Sequence, residues 1–149
     1  MNLRIGFGVD VHRLKSGLPL MVGGIQVPSP KGAEGHSDAD VLLHAICDAI
    51  LGACNMRDIG FHFSDRDPQF KGIDSSILLE NVMKLIEEKQ FYVINLDSTV
   101  ILETPKLSSY IPLMQERISQ LLKIPVDCVS IKATTHELVD SFGLQQAIK

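Results

Sequence analysis

The chain reads as α+β: an alternating α/β sandwich in which helices cover one face of a mixed β-sheet. Three observations predict this. Segments with apolar residues at every second position occur near both ends of the chain and in its middle. Segments with apolar residues every three or four positions lie between them. The two kinds alternate, with turn-forming Gly, Pro, Asp and Ser at their junctions.

In residues 3–12 the odd positions Leu3, Ile5, Phe7, Val9 and Val11 are apolar. A period of two predicts a strand burying that face, with Asp10 and His12 projecting together from the other. Residues 18–27 predict a second strand, interrupted at Gly23-Gly24 by a bulge or tight bend. Residues 28–35, rich in Pro and Gly, read as a loop. Ser37 suits a helix N-cap, with Asp40 in the acid position of a capping box. The helix that follows turns Val41, Leu42, Ala45, Ile46, Ala49, Ile50 and Ala53 inward. Residues 55–72 form the longest irregular stretch, loaded with Asp, His and Gly, and loops of that length in a small domain are commonly functional. Asp74 caps a second helix carrying Leu78, Val82, Leu85 and Ile86. Residues 91–102 predict a long strand. Ser108 opens a third helix reaching about Lys123, with Pro112 early enough to be tolerated. Residues 129–133 predict a short final strand, followed by residues 136–149.

A length of 149 residues suits one domain spanning 1–149. A net charge of −4 gives no electrostatic case for a nucleic acid or a membrane surface as partner. The lack of Trp also argues against a base-stacking platform. Cys47, Cys54 and Cys128 have no metal-type C-x-x-C spacing. Cys47 and Cys54 fall in a helical apolar pattern, which suits buried thiols in a reducing compartment. No stretch is apolar enough to span a bilayer, and the N-terminus lacks a signal-peptide pattern. A cytoplasmic protein, or a mature organellar one in the plastid stroma, is expected.

Several residues could carry chemistry. Asp10 and His12, joined by His44 from the first helix, would make an Asp-His-His set. Zinc and similar ions accept such a set and keep a fourth position for water or substrate. Taken singly, Asp10 and His12 also suit a solvated strand face, and His44 a hydrogen-bonded core histidine. His36-Ser37 sits where a Gly-rich loop meets a helix N-terminus, a natural anion site compatible with capping by Ser37. Asp58-Ile59-Gly60 and Phe63-Ser64-Asp65 offer carboxylates for a second divalent ion or for sugar-like hydroxyls, or are solvated loop acids. Thr104-Pro105-Lys106-Leu107 is a turn able to present backbone groups to a flat nucleobase. Lys132 to Glu137 supplies hydroxyls and an acid suited to a phosphate bridged by a hard cation. Both of these segments are also readable as ordinary turns.

Taken in order, the motifs Gly8-Val9-Asp10-Val11-His12, Val22-Gly23-Gly24, Gly35-His36-Ser37-Asp38-Ala39-Asp40-Val41-Leu42-Leu43-His44-Ala45, Asp58-Ile59-Gly60, Phe63-Ser64-Asp65-Arg66-Asp67-Pro68, Phe70-Lys71-Gly72-Ile73-Asp74-Ser75, Pro105-Lys106 and Lys132-Ala133-Thr134-Thr135 resemble the 2-C-methyl-D-erythritol 2,4-cyclodiphosphate synthase family over about residues 3–137. The resemblance implies a phosphorus–oxygen lyase of non-mevalonate isoprenoid biosynthesis. Its substrate would be 4-diphosphocytidyl-2-C-methyl-D-erythritol 2-phosphate, whose 2-phosphate attacks its own β-phosphate and releases CMP. It implies zinc on Asp10, His12 and His44, and a second ion, magnesium or manganese, held with Glu137. It assigns transition-state stabilisation to His36 and Thr135. It places substrate contacts at Asp10, Val11, His12, His36, Ser37, Asp58, Ile59, Gly60, Phe63, Ser64, Asp65, Arg66 and Asp67. Leu102, Glu103, Thr104, Pro105, Lys106, Leu107, Thr134, Thr135 and Glu137 complete that set, the first six and Thr134 as a cytidine pocket. It also implies a homotrimer with active sites between subunits.

The resemblance loosens after about residue 137. His136 stands where the family has Thr, and residues 138–149 lack the family's Gly-Arg-Gly-Glu-Gly run, so the C-terminus reads as atypical and apparently shortened. That leaves one alternative, a metal-binding trimeric homologue with weak or no catalysis. A generic zinc phosphohydrolase would leave the Pro105-Lys106 turn without a purpose.

Overall fold

The computed structural model describes residues 3–64 and 66–149. It is an α+β fold whose strands pair in three sets among the described residues. Strands β1 (His12–Ser16), β4 (Lys31–Glu34) and β7 (Ala147–Ile148) form an antiparallel sheet with β1 in the centre. Strands β2 (Leu20–Val22) and β3 (Ile25–Val27) form a hairpin, and β5 (Leu96–Ile101) pairs in parallel with β6 (Val129–Thr134). Parallel and antiparallel pairings are both present, as expected, but in separate ladders rather than one mixed sheet. A link between ladders exists at Lys149, which exchanges two backbone hydrogen bonds with Ile101 at 2.6 and 3.2 Å.

Helices α1 (Val41–Ala53), α3 (Ser75–Glu88) and α4 (Ile111–Leu122) supply most of the core. The first packs against the second, the second against the third, and α4 lies on β6. Val129 and Ile131 point from β6 into this core, while Ser130 and Lys132 face out. On that outer face Lys132 pairs with Asp97 of β5. Helices therefore cover one face of this ladder, as the alternation in its sequence requires. No helix among the described residues is long and apolar enough to cross a membrane.

Several expected elements differ. Residues 3–11 carry no strand ladder, and their apolar odd positions are exposed: Ile5 is 89% and Phe7 85% accessible. The period of two is real, but the packed side is the even one. A Cβ on Gly6 would lie 1.8 Å from the Ala49 carbonyl oxygen, and one on Gly8 1.9 Å from that of Ala45. The segment thus lies directly on the backbone of α1, and the small residues, not the large ones, set the approach. Between residues 3–10 and 90–99 runs an apolar cleft of about 1150 Å³.

The Gly23-Gly24 interruption is a two-residue hairpin turn with φ of +62° and +76°, values that L side chains adopt at a cost. Residues 31–34, expected as loop, form β4 because Lys31 to Glu34 pair in register with Ser16 to Arg13. The strand expected over 91–102 is ordered as β5 only from Leu96. The strand expected to be final is followed by a short helix α5 (Asp140–Gly143) and by β7.

The cap of α1 is Asp40, not Ser37. Asp40 is fully buried. Its carboxylate accepts from Leu43 N at 3.0 Å, Gly23 N at 2.9 Å and Gly24 N at 2.6 Å. One side chain therefore caps the helix and fastens the β2–β3 turn to it. Asp40→Ala strands three backbone donors, and is expected to cost roughly 3 kcal/mol of stability. Urea unfolding checks this; a loss below about 1 kcal/mol would refute the shared-cap role. Of the other predicted helix starts, Asp74 holds, accepting from Ser76 N at the start of α3, whereas α4 begins at Ile111 after Tyr110 rather than at Ser108.

Candidate metal centre

The even face of residues 3–12 brings Asp10 and His12 against α1, where His44 stands half-buried on the same side. Asp10 Oδ2 lies 2.9 Å from His12 Nε2 and 2.9 Å from His44 Nδ1, and the two ring nitrogens are 3.2 Å apart. Asp10 Oδ1 is used separately, accepting from Val11 N at 2.8 Å. Among the described residues these three side chains form one group able to hold a metal ion.

Burial acts to raise the Asp10 pKa. Hydrogen bonds from both histidines and their positive charge outweigh it, holding the carboxyl well below the usual carboxylate range. Burial acts to lower the pKa of His12. Its bonds to Asp10 and to the Glu34 backbone reverse that, so the imidazole binds a proton more tightly than usual. Both shifts express one fact: the carboxylate and the two facing nitrogens need positive charge between them. A divalent cation satisfies the same three atoms, and two imidazoles with one carboxylate is a donor set for zinc-like ions that leaves a coordination position open. The residues fit a metal.

The remaining predicted residues fall around this centre unevenly. Ser37 Oγ lies 3.0 Å from His44 Nε2, so the His36-Ser37 loop borders the site. His36 itself reaches the Asp67 carbonyl at 3.4 Å, and its backbone carbonyl accepts from Gly72 N at 2.8 Å. Asp58 caps a short helix α2 (Ile59–His62). That helix is tied to α1 by Asp48, which accepts from Ile59 N at 2.7 Å. Phe63 stacks edge-on with Phe70. Ser64 accepts from Arg66 N, and Asp67 caps the 3₁₀ turn Pro68–Phe70. Asp65 lies outside the described residues.

The ends of β5 and β6 meet: Leu102 N donates to Thr134 O at 3.0 Å, and Glu103 Oε1 accepts from His136 N at 2.9 Å. The turn from Leu102 to Leu107, with its cis Thr104–Pro105 bond, therefore adjoins Thr134. Thr135 Oγ1 donates to Glu137 at 2.8 Å, and Glu137 stands apart from the Asp10–His12–His44 group. Three residues near the centre were not singled out from the sequence. Asp48 lies one turn after His44, a spacing that could have flagged it. Ser75 touches His44 and Asp38 touches Ser75; both stand within the motifs quoted from the sequence, but nothing local there gave either a role.

The YgbB family model matches residues 3–149. The chain belongs to the YgbB family. It is 51% identical over 148 residues to the 2-C-methyl-D-erythritol 2,4-cyclodiphosphate synthase of Cytophaga hutchinsonii, covering 99% of this chain and 93% of that one. It is 52% identical over 145 residues to the synthase of the same name from Porphyromonas gingivalis, covering 97% and 90%. A solved 2C-methyl-D-erythritol-2,4-cyclodiphosphate synthase described as a CDP-bound form superposes with a TM-score of 0.90 at 34% identity, over 97% of this chain and 94% of that chain. A Plasmodium falciparum IspF–CDP complex superposes at 0.85, also at 34% identity, over 97% and 89%.

Proposed function

We propose that the protein is a metal-dependent phosphorus–oxygen lyase of non-mevalonate isoprenoid biosynthesis. It cyclises 4-diphosphocytidyl-2-C-methyl-D-erythritol 2-phosphate to 2-C-methyl-D-erythritol 2,4-cyclodiphosphate and releases CMP. The observation that carries this reading is the meeting of Asp10, His12 and His44 at one point, in a chain half identical over nearly its whole length to synthases of that name. A 2-phosphate oxygen attacks the β-phosphorus, the bond from that phosphorus to the bridging oxygen breaks, and CMP leaves with the electron pair.

Asp10, His12 and His44 hold zinc. Glu137 helps hold a second divalent ion, magnesium or manganese. The ions, when bound, neutralise the repulsion between two anionic groups and polarise the attacked phosphorus. No protein nucleophile is required, and the chain's own task is placement. His36 and Thr135 stabilise the charge that develops in the transition state. Asp58 and Gly60 hold the methylerythritol end, with Phe63 and Asp65 nearby, and Ile59, Ser64, Arg66 and Asp67 complete the substrate contacts of that loop. The segment from Leu102 through Glu103, Thr104, Pro105 and Lys106 to Leu107 holds the cytidine with Thr134, using binding energy remote from the reacting atoms for orientation.

The working form is a homotrimer. Leu3, Ile5, Phe7, Val9 and Val11 make an exposed apolar row too long for a soluble monomer to leave bare. Glu137 lies outside the metal group, which suits a site completed by a neighbouring copy. Light scattering is expected to return the mass of three chains. Incubation with the cytidyl substrate and Mg²⁺ is expected to yield CMP and cyclic diphosphate in equal amounts. Linear hydrolysis products would overturn the reading in favour of a phosphohydrolase, and absence of turnover in favour of a non-catalytic homologue.

A further inference from the structure

His44 is bonded on both sides of its ring, and the outer side includes a residue, Ser75, that the reaction does not use. Its Nε2 lies 2.9 Å from Ser75 Oγ. Ser75 is fully buried at the first position of α3. Its hydroxyl donates to Asp38 Oδ1, and its backbone N–H donates to Asp38 Oδ2 at 3.1 Å. Asp38 is in turn fixed by its own backbone, where Asp38 N donates to Ile73 O at 3.0 Å.

The hydrogen count then favours one arrangement. A hydroxyl carries a single proton, and Ser75 gives its own to a carboxylate that can only accept. Ser75 Oγ is therefore left to accept, and a hydrogen on His44 Nε2 is what lies within its reach. With hydrogen held at Nε2, Nδ1, the atom facing Asp10 and His12, is the nitrogen that a metal would take. His12 follows the same plan, bonding the Glu34 backbone while its Nε2 faces the centre. Histidines that ligate metals are commonly oriented in this way by an outer acceptor.

We propose that Ser75 and Asp38 are positioning residues for the metal ligand His44, acting in series to fix its tautomer and ring direction. The inference rests on the metal-centre reading above. Ser37 Oγ also lies 3.0 Å from Nε2, but its contact to Ser75 is 3.4 Å and no carboxylate orients it. It is the weaker acceptor.

The test is zinc affinity of the full-length protein, measured by competition with a chromophoric chelator. Ser75→Ala removes the acceptor but keeps the backbone bond to Asp38. Asp38→Asn allows the amide to donate to Ser75, turning the hydroxyl proton toward Nε2. Each is expected to weaken zinc binding roughly 10- to 100-fold. The double variant should bind no worse than about twofold below Ser75→Ala, because the two act through one bond. Ser75→Thr, which keeps a hydroxyl, should stay nearest to wild type, and Ser37→Ala should lose no more than about threefold. Should Ser75→Ala fail to fold, Asp38→Asn and Ser75→Thr carry the comparison. Wild-type affinity in Ser75→Ala, fully multiplicative losses in the double variant, or a loss confined to Ser37→Ala would overturn the inference while leaving the metal centre standing. Wild-type protein that binds no zinc would overturn both.

Discussion

His44→Ala is expected to strip the protein of tightly held zinc and to lower kcat by at least about 10³-fold, with the fold kept. His44 is the sole member of the group on a regular helix, and it supplies the nitrogen 2.9 Å from Asp10. Two ligands remain in the variant, on one extended segment and on one side of the ion. Such a pair cannot define an open tetrahedral site. Structural damage should be slight. Alanine is the best helix former, and the neighbours Leu43, Ile46 and Cys47 hold α1 in the core. Metal analysis after dialysis should fall from about one zinc per chain to a small fraction, while far-UV dichroism stays unchanged. A variant retaining stoichiometric zinc would remove His44 from the centre and with it the basis for the proposed reaction.

The legible parts of this site were those whose information is local. Asp10 and His12 share one face because they are two residues apart on an extended chain, and that relation survives whether or not a ladder forms. The three main helices were visible because their apolar spacing is strong and sustained. What failed was the choice of face. Five large apolar residues at odd positions argue for an inward odd face, yet the decisive contact is Gly6 and Gly8 against the α1 backbone. Absence of side chains is a weak sequence signal but a strong packing one. The strand β4 was obscured for a similar reason: its Gly32 and the preceding Pro28 and Pro30 read as loop, while its partner β1 lies in an earlier segment of the chain. Capping by Asp40 rather than Ser37 was also hidden. Its three donors come from the helix and from a hairpin turn sixteen and seventeen residues earlier. Asp38 and Ser75, thirty-seven residues apart, meet only in the folded chain.

Gly8→Ala should separate those two kinds of information by breaking the centre from outside it. The added Cβ would stand 1.9 Å from Ala45 O and 2.7 Å from Ala49 N, both backbone atoms of a helix interior that cannot yield. Ordinary contact needs about 3.5 Å between such atoms, so the segment must lift from α1 by more than about 1 Å. Asp10 follows two residues later on the same extended piece, while His44 stays behind on the helix. A displacement of that size is enough to lower activity about 10²-fold, and zinc affinity should fall at least about tenfold because coordination tolerates only a few tenths of an ångström. The helices should persist, since the methyl presses on their surface and opens no cavity. Gly52→Ala is the matched control: it lies exposed in the same helix, with nothing within 4 Å of an added Cβ. It should leave zinc binding and turnover unchanged and raise stability by up to about 1 kcal/mol through helix propensity. If Gly8→Ala bound zinc as tightly as the parent, close seating of the glycine face on α1 would not be what carries Asp10 to His44. The route from the alternating pattern to the metal centre would then need a different account.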